Sequence, residues 1–204
     1  MISLNTKVVS KQEMNEIIET LKSNQVVAFP TETVFGLGAM FNSLEALDQL
    51  VKSKHRDASK AITLMVSDVL EIENYAYVTS RDWKIIHSFM PGKITLILNK
   101  KENVSKQMTS NKETIGIRIP DDEFVLSLLK KTGPLLVTSA NMSGSINTTS
   151  VEEVLNQLEG KIPLIVEGKS GSHKASTVVD LSKDKIKILR EGDISLAMIE
   201  EVLK

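Results

Sequence analysis

Residues 25–38 read Gln-Val-Val-Ala-Phe-Pro-Thr-Glu-Thr-Val-Phe-Gly-Leu-Gly, and the fold class turns on this stretch. Val26, Val27 and Phe29 form a short β-branched and aromatic run that stops at Pro30. Hydroxyl and carboxylate side chains follow at Thr31, Glu32 and Thr33, then two glycines at Gly36 and Gly38. The pattern predicts a buried strand running into a polar, glycine-bearing site loop. The basic tripeptide Lys54-His55-Arg56 lies just beyond it.

Working outward, Ser10 to Glu13 has the spacing of a capping box, and Met14, Ile17, Ile18 and Leu21 repeat on one helical face, predicting a helix that ends near Asn24. A second helix is expected from Ser43, with Leu44, Leu47, Leu50 and Val51 on one face. Downstream the reading gives a strand at Ala61 to Val66, a helix at Ser80 to Phe89 whose Trp83, Ile86 and Phe89 face the core, and a strand at Ile94 to Leu98. The polar run Asn99 to Asn111 is expected as an exposed excursion. A strand at Thr114 to Ile119, a helix running to Gly133 and a strand at Leu135 to Val137 follow. A second capping box at Ser150 to Glu153 opens a helix that ends at Gly160. Strands at Ile162 to Val166, Thr177 to Asp180 and Ile186 to Leu189 and a last helix at Ile194 to Leu203 complete the chain, with a hydroxyl-rich loop at Glu167 to Ser176. Strands alternate with helices early and cluster late, which predicts an α/β fold with a twisted mixed parallel and antiparallel sheet flanked by helices.

The 204 residues, 41% hydrophobic and 25% charged, suit a single domain spanning 1–204. Cysteine is absent, which excludes disulfides and thiolate chemistry and fits a cytoplasmic setting. No leader pattern opens the chain and no run approaches the ~18 apolar residues of a membrane span, so neither processing nor a membrane partner is expected. Twenty-five basic and 26 acidic residues give a net charge of −1, which argues against coating nucleic acid and leaves a local basic cavity open. His55, His87 and His173 lack ligand spacing, so no dedicated protein metal site is expected.

Chemistry-bearing residues gather at four places: Thr31-Glu32-Thr33, Lys54 and Arg56 with Lys60, Arg118, and Ser139-Ala140-Asn141. Taken singly, the hydroxyls read equally as turn or cap residues and the basic pair as a solvated helix end. Arg118 stands among β-branched residues and needs an anion, either an internal carboxylate or a bidentate substrate carboxylate or phosphate. Arg190, in Ile-Leu-Arg-Glu-Gly-Asp, sits similarly. Phosphate-loop, dinucleotide, nucleophile-elbow and zinc-protease motifs are all missing. The chemistry predicted is therefore electrostatic gathering of anions, without a protein nucleophile.

In order, FPTETVFGLGA, KHR, PGKITLIL, TIGIRIP, TSANMSG, STVVDL and ILREG resemble the motifs of the YrdC-like family of threonylcarbamoyl-AMP synthases, over about Val26 to Gly192. The resemblance implies a sheet around a basic concave cavity. It also implies an activity that joins L-threonine, bicarbonate and ATP into threonylcarbamoyl-adenylate, releasing pyrophosphate, for threonylcarbamoyladenosine modification of tRNA. It implies Mg2+ carried by ATP, a downstream threonylcarbamoyl transferase complex, and tRNA or RNA as a further contact. By position, Lys54 and Arg56 would act on the carbamate and ATP phosphates. Thr31, Arg118 and Ser176 would bind threonine, and Arg56, Lys60, Thr114, Ser139, Asn141 and Arg190 would bind ATP. Asp57, Lys93 and Met65 depart from the family pattern, which usually has proline, proline and histidine there. The alternative is a paralogue of the same fold acting as an RNA- or nucleotide-binding module without synthase activity. A third reading, the carbamoyl-adenylate chemistry of the related hydrogenase-maturation domain, is disfavoured by the lack of that protein's additional domains.

Overall fold

The structure, a computed structural model, describes residues 5–55, 57, 61–171 and 173–204. Ten strands are named in chain order: β1 (Lys7–Val9), β2 (Val27–Phe29), β3 (Gly36–Met40), β4 (Thr63–Met65), β5 (Ile94–Asn99), β6 (Thr114–Arg118), β7 (Leu135–Ser139), β8 (Leu164–Val166), β9 (Thr177–Asp180) and β10 (Lys187–Arg190). Six helices accompany them: α1 (Met14–Lys22), α2 (Leu44–Ser53), α3 (Ser80–Phe89), α4 (Glu123–Thr132), α5 (Val151–Leu158) and α6 (Leu196–Glu201). All ten strands join one sheet in the order β1-β8-β2-β3-β7-β4-β6-β5-β9-β10. β1 and β2 run parallel to β8, β4 to β6 and β5 to β9, while the other neighbours are antiparallel. The mixed sheet expected from the alternation of elements is the observed one. None of the described helices is long and apolar enough to cross a membrane.

Side-chain alternation divides the core. Leu37, Leu64, Leu96, Ile117, Leu136 and Val179 point to one face, where they pack with Leu50 of α2, Ile85 and Ile86 of α3, Leu158 of α5 and Ile199 of α6. On the other face Phe29, Leu135 and Val137 pack against Ile17 and Leu21 of α1 and Val125, Leu128 and Leu129 of α4. Each fully buried side chain of this kind stabilises the fold by about 1.5–3 kcal/mol relative to exposure. α1 lies over β8, β2 and β3 and packs against α4 on that face, and Met65 of β4 joins the same cluster.

The opening stretch needs a correction. Gly36 and Gly38 do not belong to a loop: they lie in β3, hydrogen-bonded antiparallel to β2 and β7. A Cβ at Gly38 would stand 2.7 Å from Phe29 Cε1, and one at Gly36 2.9 Å from Val137 Cγ1. The glycines therefore let the Phe29 ring lie against the strand, and the turn is confined to residues 30–35. β1, an exposed edge strand of three residues, was also absent from the sequence reading.

Ser43 caps α2, as expected, by accepting from Ala46 N at 3.1 Å. The Ser10 box forms only in part: Glu13 Oε2 accepts from Ser10 N at 2.8 Å, but α1 starts later, with Glu13 as its cap residue. At the second box Ser150 caps Glu153 N, while Glu153 Oε2 turns to Thr149 N at 2.6 Å. The reciprocal box belongs instead to Thr79 and Asp82 at the start of α3. Trp83 and Phe89 are half-buried against the core, and Ile86 is fully buried. The expected excursion Asn99 to Asn111 is pinned by buried Val104, Met108 and Thr109, so it is a packed connection rather than a free loop. The last helix is shorter than expected, with Ser195 as its cap.

Candidate active site

The alternation of β3, β7, β4, β6 and β5 turns one row of residues into the floor of a cavity of about 200 Å³. Gly36, Val137, Ser139, Thr63, Met65, Gly116, Arg118, Thr95 and Ile97 make this floor, and Ala175, Ser176 and Arg190 wall it. Gly116 keeps the floor low, since a Cβ there would lie 3.0 Å from Ile97 Cδ1.

Thr31 and Thr33 line the cavity from the turn after β2. The Thr31 hydroxyl donates to the Val34 carbonyl at 2.8 Å and accepts from Thr33 N at 3.1 Å, so it shapes the turn. Across the rim, Ser170 Oγ accepts from Thr31 N at 3.2 Å. Gly171 comes so close that a Cβ there would stand 2.2 Å from the Glu32 carbonyl oxygen. The Glu167 to Ser176 loop is thereby fitted onto the Thr31 turn.

Two arginines face the cavity. Arg118, only 5% exposed, donates from Nε to the Gly92 carbonyl at 3.2 Å and from Nη2 to Glu32 Oε1 at 2.6 Å and Thr33 Oγ1 at 3.0 Å. The sequence left an internal carboxylate and a substrate anion open as its partner. Glu32 takes Nη2, which leaves Nη1 as the part of the guanidinium with no acceptor among the described residues. Arg190 donates from Nε to the Ser176 carbonyl at 3.0 Å and from Nη2 to Ser176 Oγ at 3.2 Å. Arg190 remains exposed at the edge of the sheet, and partial desolvation of its guanidinium first and the positive charge of Arg118 second push its pKa below the ordinary range. Two cations that repel each other across one hollow favour an anion between them. Ser176 is held in turn by Thr95, hydroxyl to hydroxyl at 2.9 Å.

The remaining candidates lie at different removes. Lys54 caps the end of α2, is 1% exposed, and its Nζ donates to the Ser139 carbonyl, placing its charge directly behind a cavity residue. Asn141 is buried in the next turn rather than in the cavity lining. Its Nδ2 donates to the carbonyls of Met142 at 2.9 Å and Ser145 at 2.7 Å, and its Oδ1 is buried with no partner among the described residues. Thr114 shares the face of Gly116 and Arg118 but stands at the far end of β6, paired with Asn99 and outside the lining. Arg56 and Lys60 lie outside the described residues. Of the departures from the family pattern, Met65 lines the floor beside Arg118, and Lys93 Nζ donates to Asp193 Oδ2 at 3.0 Å.

Sequence reasoning placed Glu32 and Thr33 in a candidate loop without giving either a role of its own, and it did not single out Thr63 or Thr95. The two strand threonines were detectable, because period-two alternation from Gly116 and Arg118 on β6 carries through the register to Thr63 and from Ile97 to Thr95. Glu32 had no such signal, since its partner is 86 positions away.

Residues 19–192 match the Sua5/YciO/YrdC family model, described as telomere recombination. Threonylcarbamoyl-AMP synthase of Bacillus subtilis (strain 168) is 36% identical over 187 residues, covering 90% of this chain and 54% of the relative. The chain thus spans about half the length of that protein. A putative threonylcarbamoyl-AMP synthase of Methanocaldococcus jannaschii is 34% identical over 205 residues, covering 96% of this chain and 97% of the relative. Among solved structures, P. abyssi Sua5 complexed with L-threonine superposes with a TM-score of 0.90 at 30% identity, over 100% of this chain and 61% of that one. E. coli YciO superposes with a TM-score of 0.85 at 26% identity, over 98% of this chain and 100% of its own. From the matched span and these identities, the chain belongs to the Sua5/YciO/YrdC family.

Proposed function

We propose that this protein is an L-threonylcarbamoyladenylate synthase, which condenses L-threonine, bicarbonate and ATP and releases pyrophosphate for threonylcarbamoyladenosine modification of tRNA. The observation that carries the reading is the pair Arg118 and Arg190 on one cavity, with the buried Lys54 behind Ser139. Relatives named for this activity and the threonine complex of P. abyssi Sua5 support it.

The reactants are all anionic or become so, and fixed cations offset their mutual repulsion. The threonine amine adds to bicarbonate with loss of water to form a carbamate. A carbamate oxygen then attacks the α-phosphorus of ATP, the bond to the bridging oxygen breaks, and pyrophosphate leaves with that electron pair. Arg118 holds the threonine carboxylate near Thr31 and Ser176. Lys54 and Arg56 bring the carbamate and phosphates together, and Lys60, Ser139 and Arg190 serve the nucleotide together with Thr114 and Asn141, which lie beyond the cavity lining. Mg2+ accompanies ATP as part of the substrate; among the described residues no group of three or more His, Asp or Glu side chains converges on one point. The product passes to a threonylcarbamoyl transferase complex acting on tRNA in the cytoplasm, and residues 1–204 read as a single domain.

Pyrophosphate release from ATP tests the reading. Release that requires both threonine and bicarbonate is expected. Release independent of either co-substrate, or none at all, overturns it, and ATP or RNA binding without release would favour the non-catalytic binding module.

A further inference from the structure

We propose that Glu32 is a positioning residue, which holds the guanidinium of Arg118 so that Nη1 alone is presented to an anion in the cavity. The proposal rests on the carboxylate-binding role given to Arg118 above and adds to it a residue that does not touch the ligand.

A guanidinium carries five N–H donors in one plane. In Arg118 the Nε donor goes to the Gly92 carbonyl, and the two on Nη2 go to Glu32 Oε1 and Thr33 Oγ1. Either two-nitrogen edge of the group, Nε with Nη2 or Nη1 with Nη2, includes Nη2. The two-pronged grip by which arginine usually meets a carboxylate is therefore already used up. A ligand carboxylate meets the two donors of Nη1, and its second oxygen falls to another group. Arg190 is the neighbouring cation, with Nε and Nη2 anchored on Ser176.

Glu32 is built to hold this arrangement by its reach. Its Oε1 also accepts from Asp121 N at 3.0 Å, just beyond the end of β6, so one oxygen ties the turn after β2 to the exit of the strand that carries Arg118. Its Oε2 is buried with no partner among the described residues, so the contacts that fix the carboxylate there run through Oε1. Gly171 closes over the Glu32 carbonyl and holds the backbone from the other side. A side chain one methylene shorter keeps the charge but withdraws the oxygen from both donors. An amide of equal length keeps the oxygen and removes the charge.

The test compares Glu32→Asp with Glu32→Gln, measuring L-threonine affinity by calorimetry and the Arg118 Nε–H resonance by NMR, assigned with Arg118→Lys. Glu32→Asp is expected to weaken threonine binding about fivefold or more and to broaden the Arg118 resonance. Glu32→Gln is expected to restore affinity to within about threefold of wild type. An affinity in Glu32→Asp equal to wild type overturns the proposal, as does a loss in Glu32→Gln as large as in Glu32→Asp, which would make charge rather than reach decisive. If the wild-type protein does not bind threonine, the carboxylate reading of Arg118 fails by itself. The resonance then judges Glu32 alone: unchanged in Glu32→Asp, it overturns the positioning role.

Discussion

Replacing Arg118 by methionine separates the two jobs of that residue. Its ion pair with Glu32 is almost wholly buried, with side chains 6% and 14% exposed at a separation of 2.6 Å. Removing the cation leaves a buried carboxylate whose Oε2 already has no partner among the described residues. Breaking one side of such a pair costs about 3–5 kcal/mol. At about 2–4 °C per kcal/mol for a chain of this size, the melting temperature should fall by about 6–20 °C. The double variant Arg118→Met/Glu32→Gln removes both charges and should recover at least half of that loss, since a buried pair replaced as a whole is close to neutral. Activity should not recover with stability. The lost charge-assisted hydrogen bond to substrate, about 1.5–3 kcal/mol, corresponds to a kcat/KM lower by about 10- to 150-fold in both variants. Calorimetric melting and steady-state pyrophosphate release at varied threonine measure the two effects. An unchanged melting temperature in Arg118→Met, or a double variant no more stable than the single one, would refute the reasoning.

Other perturbations follow from the same geometry. Lys54→Ala and Arg56→Ala should each slow pyrophosphate release by about 10-fold or more, equivalent to ~1.4 kcal/mol of lost anion stabilisation, and unchanged rates would overturn the anion-gathering role of the pair. Gly171→Ala places a Cβ 2.2 Å from the Glu32 carbonyl. The 167–176 loop must then retreat from the Thr31 turn, and titration of threonine should show a raised KM with the fold retained. The exposed Asp193 carboxyl is held below its usual range by its hydrogen bond from Lys93 first, with Lys174 adding to it. A carboxylate whose folded pKa is depressed contributes stability above its unfolded pKa and loses it as pH falls through the folded one. Asp193→Asn should therefore shrink the difference in melting temperature between neutral and acid pH, and salt should shrink the wild-type difference, because the group is exposed.

The elements with strong periodicity were legible in the sequence. The Met14, Ile17, Leu21 face of α1 needed only spacing, because burial of one face dictated it, and the Ile94 to Leu98 run of β5 was legible as a short apolar run buried on both faces. β3 was not legible, because glycine is read locally as a turn former, and only the Phe29 ring 2.7 Å away shows that the glycines clear a packing surface. The Asn99 to Asn111 segment looked solvated from its composition, but Val104 and Met108 suffice to anchor it. For the site, motifs marked Thr31, Arg118, Ser139, Ser176 and Arg190, all of which line the cavity. They could not reveal that Asn141 spends its amide on the Met142 and Ser145 carbonyls, or that Arg118 spends Nη2 on Glu32. Those commitments are made between side chains and backbone groups that spacing along the chain does not relate.

On the proposed reading, threonine, bicarbonate and ATP are joined at the cavity between Arg118 and Arg190. The most direct test is mass spectrometry of the reaction of the purified protein with ATP, L-threonine and 13C-labelled bicarbonate. The account predicts threonylcarbamoyl-AMP carrying the label in its carbamoyl carbon, formed in step with pyrophosphate and strongly reduced in Arg118→Met. Pyrophosphate released without any labelled adenylate, or labelled product formed equally well by Arg118→Met, would contradict it.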